Sequence, residues 1–255
     1  MTGMSSLNNS FDGSLSTYQT KRSESLVHGR DAFRGRVLHS VKYQRPDGFA
    51  GQRVLVVGAG NSAGEIATEL ADARAQVTLA VRTGAVVVPR EVAGIPVQFL
   101  SLVVGAFPRS AQRIATSALA RVSGVLHGRP VLPPPQHSAC PRVPLIGLRL
   151  ADALRAGTVV LKGGIHAFAE RGVRFDDQSE ERFDAVILAT GYRAAVGLLG
   201  RLVHVDPCGF ARRRDRVASD DQPDLYFVGH NYSIQGALFN ISRDARIVAR
   251  RFKAT

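Results

Sequence analysis

The chain has 255 residues, of which 45% are hydrophobic and 21% are charged, so it can build one large or two small domains with a core. No apolar run approaches the roughly 18 residues of a membrane span, and the N-terminus has no apolar core of the signal-peptide kind. The two cysteines, Cys140 and Cys208, belong to no metal-binding spacing. We therefore expect a cytoplasmic protein without a membrane partner or a metal site, in which both cysteines are reduced structural thiols.

The formal charge of +12 is carried mostly by arginines that are scattered along the chain. The densest run, residues 212–216, has four arginines in a polar stretch without interleaved aromatic residues. This pattern disfavours nucleic acid as a partner and indicates a solvated loop. A positive field also favours the approach of a polyanionic cofactor.

The chain opens with a polar stretch and then becomes compact. Residues 1–30 are rich in serine and asparagine and show no sustained hydrophobic period, which predicts a disordered or poorly packed lead-in. A compact segment follows from Phe33 to Tyr43.

Residues 54–70, VLVVGAGNSAGEIATEL, carry the strongest functional signal in the sequence. A short apolar strand enters a turn with Gly58 and Gly60, and Ala63 lies at the start of a helix with one apolar face. This is the G-x-G-x-x-A pattern of a dinucleotide-binding turn, in which a pyrophosphate sits over the free N–H groups of the helix. The alternative is an ordinary strand-to-helix turn that needs glycine for packing.

The next predicted strand indicates which nucleotide would bind. Residues 76–81 read QVTLAV and are followed by Arg82 and Thr83. NAD sites usually place an acidic residue about 20 residues past the glycines, to bond the ribose 2′-hydroxyl, and none stands here. A cation beside a hydroxyl suits a 2′-phosphate, which favours NADPH over NADH. The alternative interpretation of Arg82 is an ordinary surface arginine.

Helices and short strands alternate in the rest of the chain. Helices are predicted at 108–127 and 148–154, separated by the proline-rich loop 133–135, and Gly157 ends the second. Short strands at 159–161, 165–168 and 173–175 predict a small antiparallel meander.

Two apolar strands and a helix are predicted near the C-terminus. Residues 184–189, DAVILA, and 225–228, LYFV, are typical of strands buried on both faces. Residues 236–252 predict an amphipathic helix. Its apolar stripe contains Leu238, Ile241, Ala245, Val248 and Phe252.

Several motifs follow one another in a fixed order. They are F-x-G-x-x-x-H-x-x-x-Y with Phe33, His39 and Tyr43, G-x-G-N-S from Gly58, V-R-x-x-x-x-V-x-P-R-E from Val81, A-T-G-Y ending at Tyr192, and V-G-H ending at His230. This series resembles the flavin-dependent monooxygenases of the flavin-containing monooxygenase type, and most of all their YUCCA-like branch. The resemblance covers about residue 33 to the C-terminus and is weakest around 100–143.

The resemblance implies an α/β fold with a Rossmann-like NADPH-binding domain and a remnant of a second, three-layer FAD-binding domain. In that family NADPH delivers hydride to FAD, and a flavin hydroperoxide then oxygenates a small organic substrate. Because the flavin carries the chemistry, no catalytic side chain is assigned.

Site residues are carried over from the family position by position. The NADPH site would contain Gly58, Gly60, Asn61, Ser62, Ala63, Arg82 and Thr83. Near the junction of the two nucleotide sites would lie Thr190, Gly191 and Tyr192. The flavin's pyrimidine edge would face Gln235 and Gly236, at the start of the last helix. Phe33 and His39 are interpreted as structural, and His230 either contacts FAD or is an ordinary histidine at a strand end.

The family begins with another G-x-G-x-x-G unit, which binds the ADP half of FAD, and no glycines before Gly58 have the G-x-G spacing. We therefore interpret the chain as the rear two-thirds of a flavoprotein. Its predicted parts are a lead-in (1–30), a crossover segment of the FAD domain (31–46), an NADPH-binding domain (47–157) and a returning segment of the FAD domain (158–255). Strands 184–189 and 225–228 would then lack sheet neighbours, and the last helix would expose its apolar stripe.

Three functions stay open on the sequence alone. The first is a truncated or split flavin monooxygenase that needs a separate N-terminal FAD-domain chain or a second copy of itself. The second is a flavin-free NADPH-binding remnant or redox sensor. The third is a basic protein that binds polyanions.

Overall fold

The computed structural model describes residues 18–19, 29–92, 94–97, 99, 130–135, 140, 144–231 and 236–253. Most of the predicted lead-in lies outside the described residues, and so do the helix predicted at 108–127 and Gln235.

The described elements alternate in type along the chain. The strands are β1 (Tyr18–Gln19), β2 (Arg36–His39), β3 (Arg53–Val57), β4 (Gln76–Ala80), β5 (Val87–Val88), β6 (Glu91–Val92), β7 (Ile95–Pro96), β8 (Leu145–Ile146), β9 (Val159–Lys162), β10 (Ile165–Ala169), β11 (Gly172–Phe175), β12 (Glu180–Arg182), β13 (Ala185–Leu188) and β14 (Arg193–Ala194). The α-helices are α1 (Asn61–Asp72), α2 (Arg149–Ala156) and α3 (Ala237–Lys253). Short 3₁₀ helices lie at Arg30–Ala32, Ser40–Lys42, Asp47–Phe49 and Ala195–Leu202.

A five-stranded parallel sheet forms the centre, with the strand order β2-β13-β3-β4-β9. From β3 the chain moves outward through β4 to β9 and then returns to place β13 on the other side of β3. The order therefore reverses between β3 and β13, and such a switch point is where ligands bind in open α/β sheets. This topology confirms the predicted Rossmann-like α/β fold.

Two different layers cover the sheet. One face is covered by α1 and α2, whose buried residues Ile66, Leu70 and Leu150 pack on Val54 and Val56 of β3 in one core cluster. The other face is covered by the antiparallel strands β10, β11 and β12. Their cluster joins Val173 and Phe175 to Leu55, Val186 and Leu188 from the sheet. The result is a three-layer arrangement of helices, parallel sheet and antiparallel sheet.

The local predictions around the first core strand are confirmed. Strand β3 ends at Val57 and α1 begins at Asn61, with Ala63 and Ala67 wholly buried on its inner face. Helix α2 ends at Gly157, whose φ of 72° is the left-handed conformation that glycine adopts at a helix C-terminus.

Two strand predictions need correction. The strand predicted at 159–161 is β9, which pairs in parallel with β4 at the sheet edge, so the third strand of the meander is β12. The expectation that strand 184–189 lacks sheet neighbours is also wrong, because β13 pairs with β2 on one side and β3 on the other. These parallel neighbours explain why every residue of β13 is buried.

The C-terminal part is less regular than predicted. Residues 225–228 form no strand, and their one ladder contact is the isolated bridge between Tyr226 and Ala218. Phe227 instead packs in a small separate cluster with Val196, Val203 and Ala211. The expectation of an exposed stripe on the last helix is confirmed, since Leu238 is 83% and Phe252 67% exposed.

The cysteine prediction is wrong, because the structure joins Cys140 and Cys208 in a disulfide. Their Cα atoms are 5.4 Å apart, which lies within the range that a disulfide can bridge. The cysteines are 68 residues apart in the chain, so their proximity depends on the tertiary fold and has no local sequence signal.

Candidate functional site

The turn between β3 and α1 contains two glycines with different surroundings. Gly58 lies against the backbone of another segment, and Gly60 borders open space. Gly58 has a φ of 142°, and a Cβ atom there would overlap the carbonyl group of Ala189, which follows β13. A Cβ atom on Gly60 would meet nothing within 4 Å. Gly58 therefore serves the fold, whereas Gly60 leaves room for a ligand to approach the backbone closely.

The start of α1 faces this open space with uncapped N–H groups. Gly60 is the N-cap residue and offers no side chain, and the first turn holds no acidic residue that could occupy the amides. Ser62 is exposed beside it, while Ala63 is buried against the sheet. Free N–H groups at a helix start, together with the helix dipole, form a site for a phosphate group.

Asn61 has a different role from the predicted ligand side chain. Its Nδ2 donates to the carbonyl of Pro144 at 3.3 Å, and its Oδ1 accepts from the N–H of Ile146 at 2.7 Å. The side chain therefore fixes the chain before α2 to the start of α1. Its backbone N–H remains part of the helix start.

Arg82 and Thr83 follow β4, the parallel neighbour of β3, and so lie at the same edge of the sheet as the glycine turn. The Arg82 side chain is exposed and forms no salt bridge within the part of the chain that the structure describes. Gly84 comes next, and the backbone of Pro133 and Pro134 lies directly against it. The structure thus brings the predicted cation to the edge that carries the free amides.

An open cleft of about 520 Å³ adjoins the start of α1. It is lined by Asn61, Glu65, Arg90, Glu91, Pro96 and Ile146. Among these, Arg90 and Glu91 belong to the P-R-E motif, which is the sequence signal that points to this cleft. Sequence reasoning missed the other three lining residues, Glu65, Pro96 and Ile146, and no motif contains them.

Thr190, Gly191 and Tyr192 follow β13 and are exposed at the same sheet edge, next to the glycine turn. The Tyr192 ring meets the ring of His39 edge to face at 5.3 Å, and its hydroxyl lies 3.5 Å from Oγ of Ser40. The chain therefore brings the ends of β2, β13, β3 and β4 together at the switch point.

The F-x-G-x-x-x-H-x-x-x-Y motif is built into the core. Phe33 packs against Phe168, and a Cβ atom on Gly35 would collide with the Phe33 ring. His39 is 7% exposed, and its Nδ1 accepts from the N–H of Val41. Burial and the hydrogen bond to Glu69 raise the pKa of Tyr43. These contacts support the predicted structural role.

The start of α3 is held by a buried polar network. Gly236 precedes the helix with a φ of 90°. The wholly buried carboxylate of Asp244 accepts from Nε of Arg216 at 2.5 Å, from Nδ2 of Asn231 at 2.8 Å and from the N–H of Gly229 at 3.0 Å. Nη2 of Arg216 also donates to Oδ1 of Asn240 at 2.7 Å. Sequence reasoning missed this network, and its only signal is the four-residue spacing of the two polar side chains on α3.

His230 lies between the rings of Phe210 and Phe227, with centroid distances of 5.5 and 4.8 Å. Burial lowers the pKa of His230, and the nearby charge of Arg213 lowers it further. The buried Nε2 has no hydrogen-bond partner among the described residues. Nε2 of the buried His39 is likewise without a partner among the described residues, so both interpretations of His230 remain predictions.

The described residues contain no group of histidine, cysteine and acidic side chains that could hold a metal ion. No described helix is both long and apolar enough to cross a membrane.

With this geometry established, comparison with known proteins identifies the family. The model of the flavin-binding monooxygenase-like family matches residues 17–206. The chain belongs to this family. The indole-3-pyruvate monooxygenase YUCCA4 of Oryza sativa subsp. japonica is 33% identical over 235 residues. The flavin-containing monooxygenase 5 of Oryctolagus cuniculus is 35% identical over 176 residues.

The chain spans only part of these relatives. The match to the YUCCA4 protein covers 88% of this chain and 52% of that protein. The match to the rabbit protein covers 64% of this chain and 32% of that protein. A doubly substituted flavin monooxygenase from Stenotrophomonas maltophilia has a similar structure, with a TM-score of 0.63 at 25% identity over 89% of this chain and 58% of the other. A steroid monooxygenase bound to NADP shares the fold, with a TM-score of 0.58 at 17% identity over 89% and 57%.

Proposed function

We propose that the turn from Gly58 to Ala63 binds the diphosphate of NADPH. The observation that carries this proposal is the open space at Gly60, the N-cap residue of α1, together with the lack of a side-chain cap on the first amides of that helix. A ligand diphosphate would accept hydrogen bonds from these amides and would be stabilised by the helix dipole. The turn also lies at the switch point of the sheet, which is the expected position for a dinucleotide.

Arg82 and Thr83 would select the phosphorylated cofactor by contacting its 2′-phosphate. Replacing Arg82 with aspartate should weaken NADPH binding by about 10- to 100-fold, because a charge-assisted hydrogen bond contributes about 1.5–3 kcal/mol. NADH binding should change little. Arg182→Asp is the matched control, since Arg182 is exposed on β12, in the layer opposite α1. Equal losses in the two variants, measured by isothermal titration, would show that Arg82 acts only through the general positive field.

For the reaction, we propose that the chain is part of an NADPH-dependent flavoprotein monooxygenase that acts on a small organic molecule. When bound, FAD would take hydride from NADPH and activate dioxygen. The chain's own residues would orient the two cofactors, with Thr190, Gly191 and Tyr192 between them. The N-terminal end of α3, with Gly236 and the predicted residue Gln235, would face the flavin ring and favour its negative charge.

In this proposal the described residues would contact the flavin end of FAD and would supply a cradle for one diphosphate. Gly58 and Gly60 are the only glycines in the sequence with the G-x-G spacing. The ADP half of FAD would therefore be held by polypeptide other than the described residues, which agrees with the partial coverage of the relatives. The exposed stripe of α3, with Leu238, Ile241 and Phe252, is the surface that this FAD-binding unit would cover.

The test is the cofactor content of the isolated chain. We expect NADPH binding together with substoichiometric FAD, measured by titration and by the flavin absorption band after purification. A full complement of tightly held FAD in a monomer would contradict the proposed division of the FAD site. The chain can also be mixed with the N-terminal half of a relative. If the chain binds NADPH but takes up no FAD even in this mixture, the flavin-free alternative is favoured. A cytoplasmic location is part of the proposal.

A further inference from the structure

The turn between β9 and β10 lies directly against the side chain of Arg82. Gly164 in this turn is the point of closest approach, since a Cβ atom there would lie 3.1 Å from Cγ and 3.2 Å from Cβ of Arg82. The N–H of Val81, the preceding residue, donates to the carbonyl of Lys162 at 3.0 Å. The aliphatic stem of Arg82 is therefore bounded on one side by this turn.

A carboxylate from the antiparallel layer approaches the same point. The Cβ atom built on Gly164 would lie 2.3 Å from Oδ2 of Asp176, the residue that follows β11. The N–H of Asp176 donates to the carbonyl of Gly164 at 2.9 Å, which fixes the backbone there. The distance from Oδ2 of Asp176 to Cγ of Arg82 cannot exceed the sum of 2.3 and 3.1 Å, which is 5.4 Å. The carboxylate thus lies beside the cation that the proposed function assigns to the 2′-phosphate.

Glycine at position 164 is explained by this approach of two side chains. Its φ is not in the left-handed range, so the backbone conformation does not require glycine. A Cβ atom would overlap the Asp176 carboxylate and press on the stem of Arg82. At Gly163, the other residue of the turn, a Cβ atom would meet nothing within 4 Å.

The two opposite charges are neighbours but do not form an ion pair. Neither Arg82 nor Asp176 has a salt bridge within the described ranges of the chain. Both side chains are exposed, so the guanidinium can turn toward solvent or toward the carboxylate. An anion that binds Arg82 must therefore compete with Asp176 and approach its negative charge.

We propose that Asp176 is a specificity-determining residue that opposes the 2′-phosphate at Arg82 and so limits the preference of the site for NADPH over NADH. This inference rests on the proposed binding of NADPH. The carboxylate attracts the guanidinium away from the ligand, and it also repels the phosphate. NADH carries a neutral hydroxyl at this position, so its binding does not meet this opposition.

The test measures the dissociation constants of NADPH and NADH for the parent chain, Asp176→Asn and Asp176→Lys. Isothermal titration at about 20 mM ionic strength keeps the screening of exposed charges weak. We expect Asp176→Asn to bind NADPH about two- to five-fold more tightly than the parent, as an exposed pair of charges allows. Asp176→Lys should bind NADPH more tightly still, and the affinity for NADH should change little in both variants. Structural damage would weaken the binding of both cofactors, so it cannot produce this selective gain.

The matched controls are Asp177→Asn and Asp177→Lys, which change the net charge equally at the adjacent exposed acid. The Asp177 carboxylate is directed to Ser179, whose N–H donates to it at 2.9 Å and whose Oγ donates to it at 2.5 Å. We expect smaller gains at Asp177 than at Asp176. Equal gains at the two positions would overturn the inference, because the general field would then account for the effect without the approach at Gly164.

The outcomes separate this inference from the proposed function. If the parent binds NADPH and Arg82→Asp weakens that binding, but Asp176→Asn brings no selective gain, only the role of Asp176 is refuted. If the parent binds no NADPH, both the proposed function and the role of Asp176 are refuted. A gain for NADPH that is matched by an equal gain for NADH would also overturn the role of Asp176, because the 2′-phosphate would then not be the group that Asp176 opposes.

Discussion

The buried network around Asp244 gives the sharpest prediction for the C-terminal helix. The carboxylate is wholly buried and accepts from Arg216, Asn231 and the N–H of Gly229. Replacing Asp244 with asparagine keeps the shape but removes the charge. The loss of charge leaves the guanidinium of Arg216, which is only 26% exposed, without its counter-charge. In addition, the NH₂ group of the new amide is a donor that faces other donors.

The expected cost follows from this burial. Removing one partner of a buried ion pair typically costs about 3–5 kcal/mol. The Asn oxygen retains part of the hydrogen bonding, so we expect about 3 kcal/mol for Asp244→Asn. Asp72→Asn is the matched control, because Asp72 pairs with Arg149 while both side chains are at least 67% exposed. An exposed pair contributes about 0–1 kcal/mol.

The assay is urea unfolding of both variants and the parent protein, followed by circular dichroism. The difference between the two variants is informative because both lose one carboxylate charge. A loss within 1 kcal/mol of the control would refute the claim that this network holds α3. A large loss confined to α3, seen as fast hydrogen exchange of its amides alone, would show that the helix is anchored by the network and unfolds separately from the sheet.

Two further predictions concern backbone and pH. Gly58→Ala should lower the free energy of unfolding by at least about 2 kcal/mol, because the φ of 142° and the carbonyl of Ala189 both oppose a Cβ atom. The control is Gly51→Ala, because Gly51 has a φ of 75° but open space around it, and we expect a loss of only about 1–2 kcal/mol. Urea unfolding measures both losses. Hydrogen bonds from the N–H of Ala218 and from Arg251 hold the pKa of Asp215 below its ordinary range. Because the folded pKa is depressed, this stabilisation is present above pH 4 and is lost as the pH falls below it. Asp215→Asn should therefore show a flatter decline of the unfolding free energy from pH 5 to pH 2 than the parent, and parallel curves would contradict this.

Local patterns in the sequence predict the structure around the glycine turn well. Strand β3, the glycine turn and α1 form one contiguous unit, in which a short continuous apolar run is followed by Gly58 and Gly60 and then by a helical period. The strand, the turn and the helix start are read from neighbours in the chain, whereas the contact of Gly58 with the carbonyl of Ala189 depends on the tertiary fold. The end of α2 at Gly157 is likewise predictable from neighbours in the chain.

Pairing between distant segments is what the sequence does not reveal. Strand β13 looks the same whether its neighbours belong to a lost domain or, as found, to β2 and β3. The bridge between Cys140 and Cys208 and the network on Asp244 likewise join segments that only the tertiary structure brings together. At residues 225–228 the sequence predicts a strand that the structure does not contain. An apolar run can also pack in a small irregular cluster without forming a strand, as this segment does.

The most direct test of the central claim is the dissociation constant of NADPH for the parent chain and for Gly60→Val. Gly60 has an extended backbone and open space, so valine should fold normally while its side chain fills the position proposed for the diphosphate. We predict at least a 30-fold loss of affinity with an unfolding free energy within about 1 kcal/mol of the parent. Unchanged affinity, or no NADPH binding by the parent chain, would contradict the account.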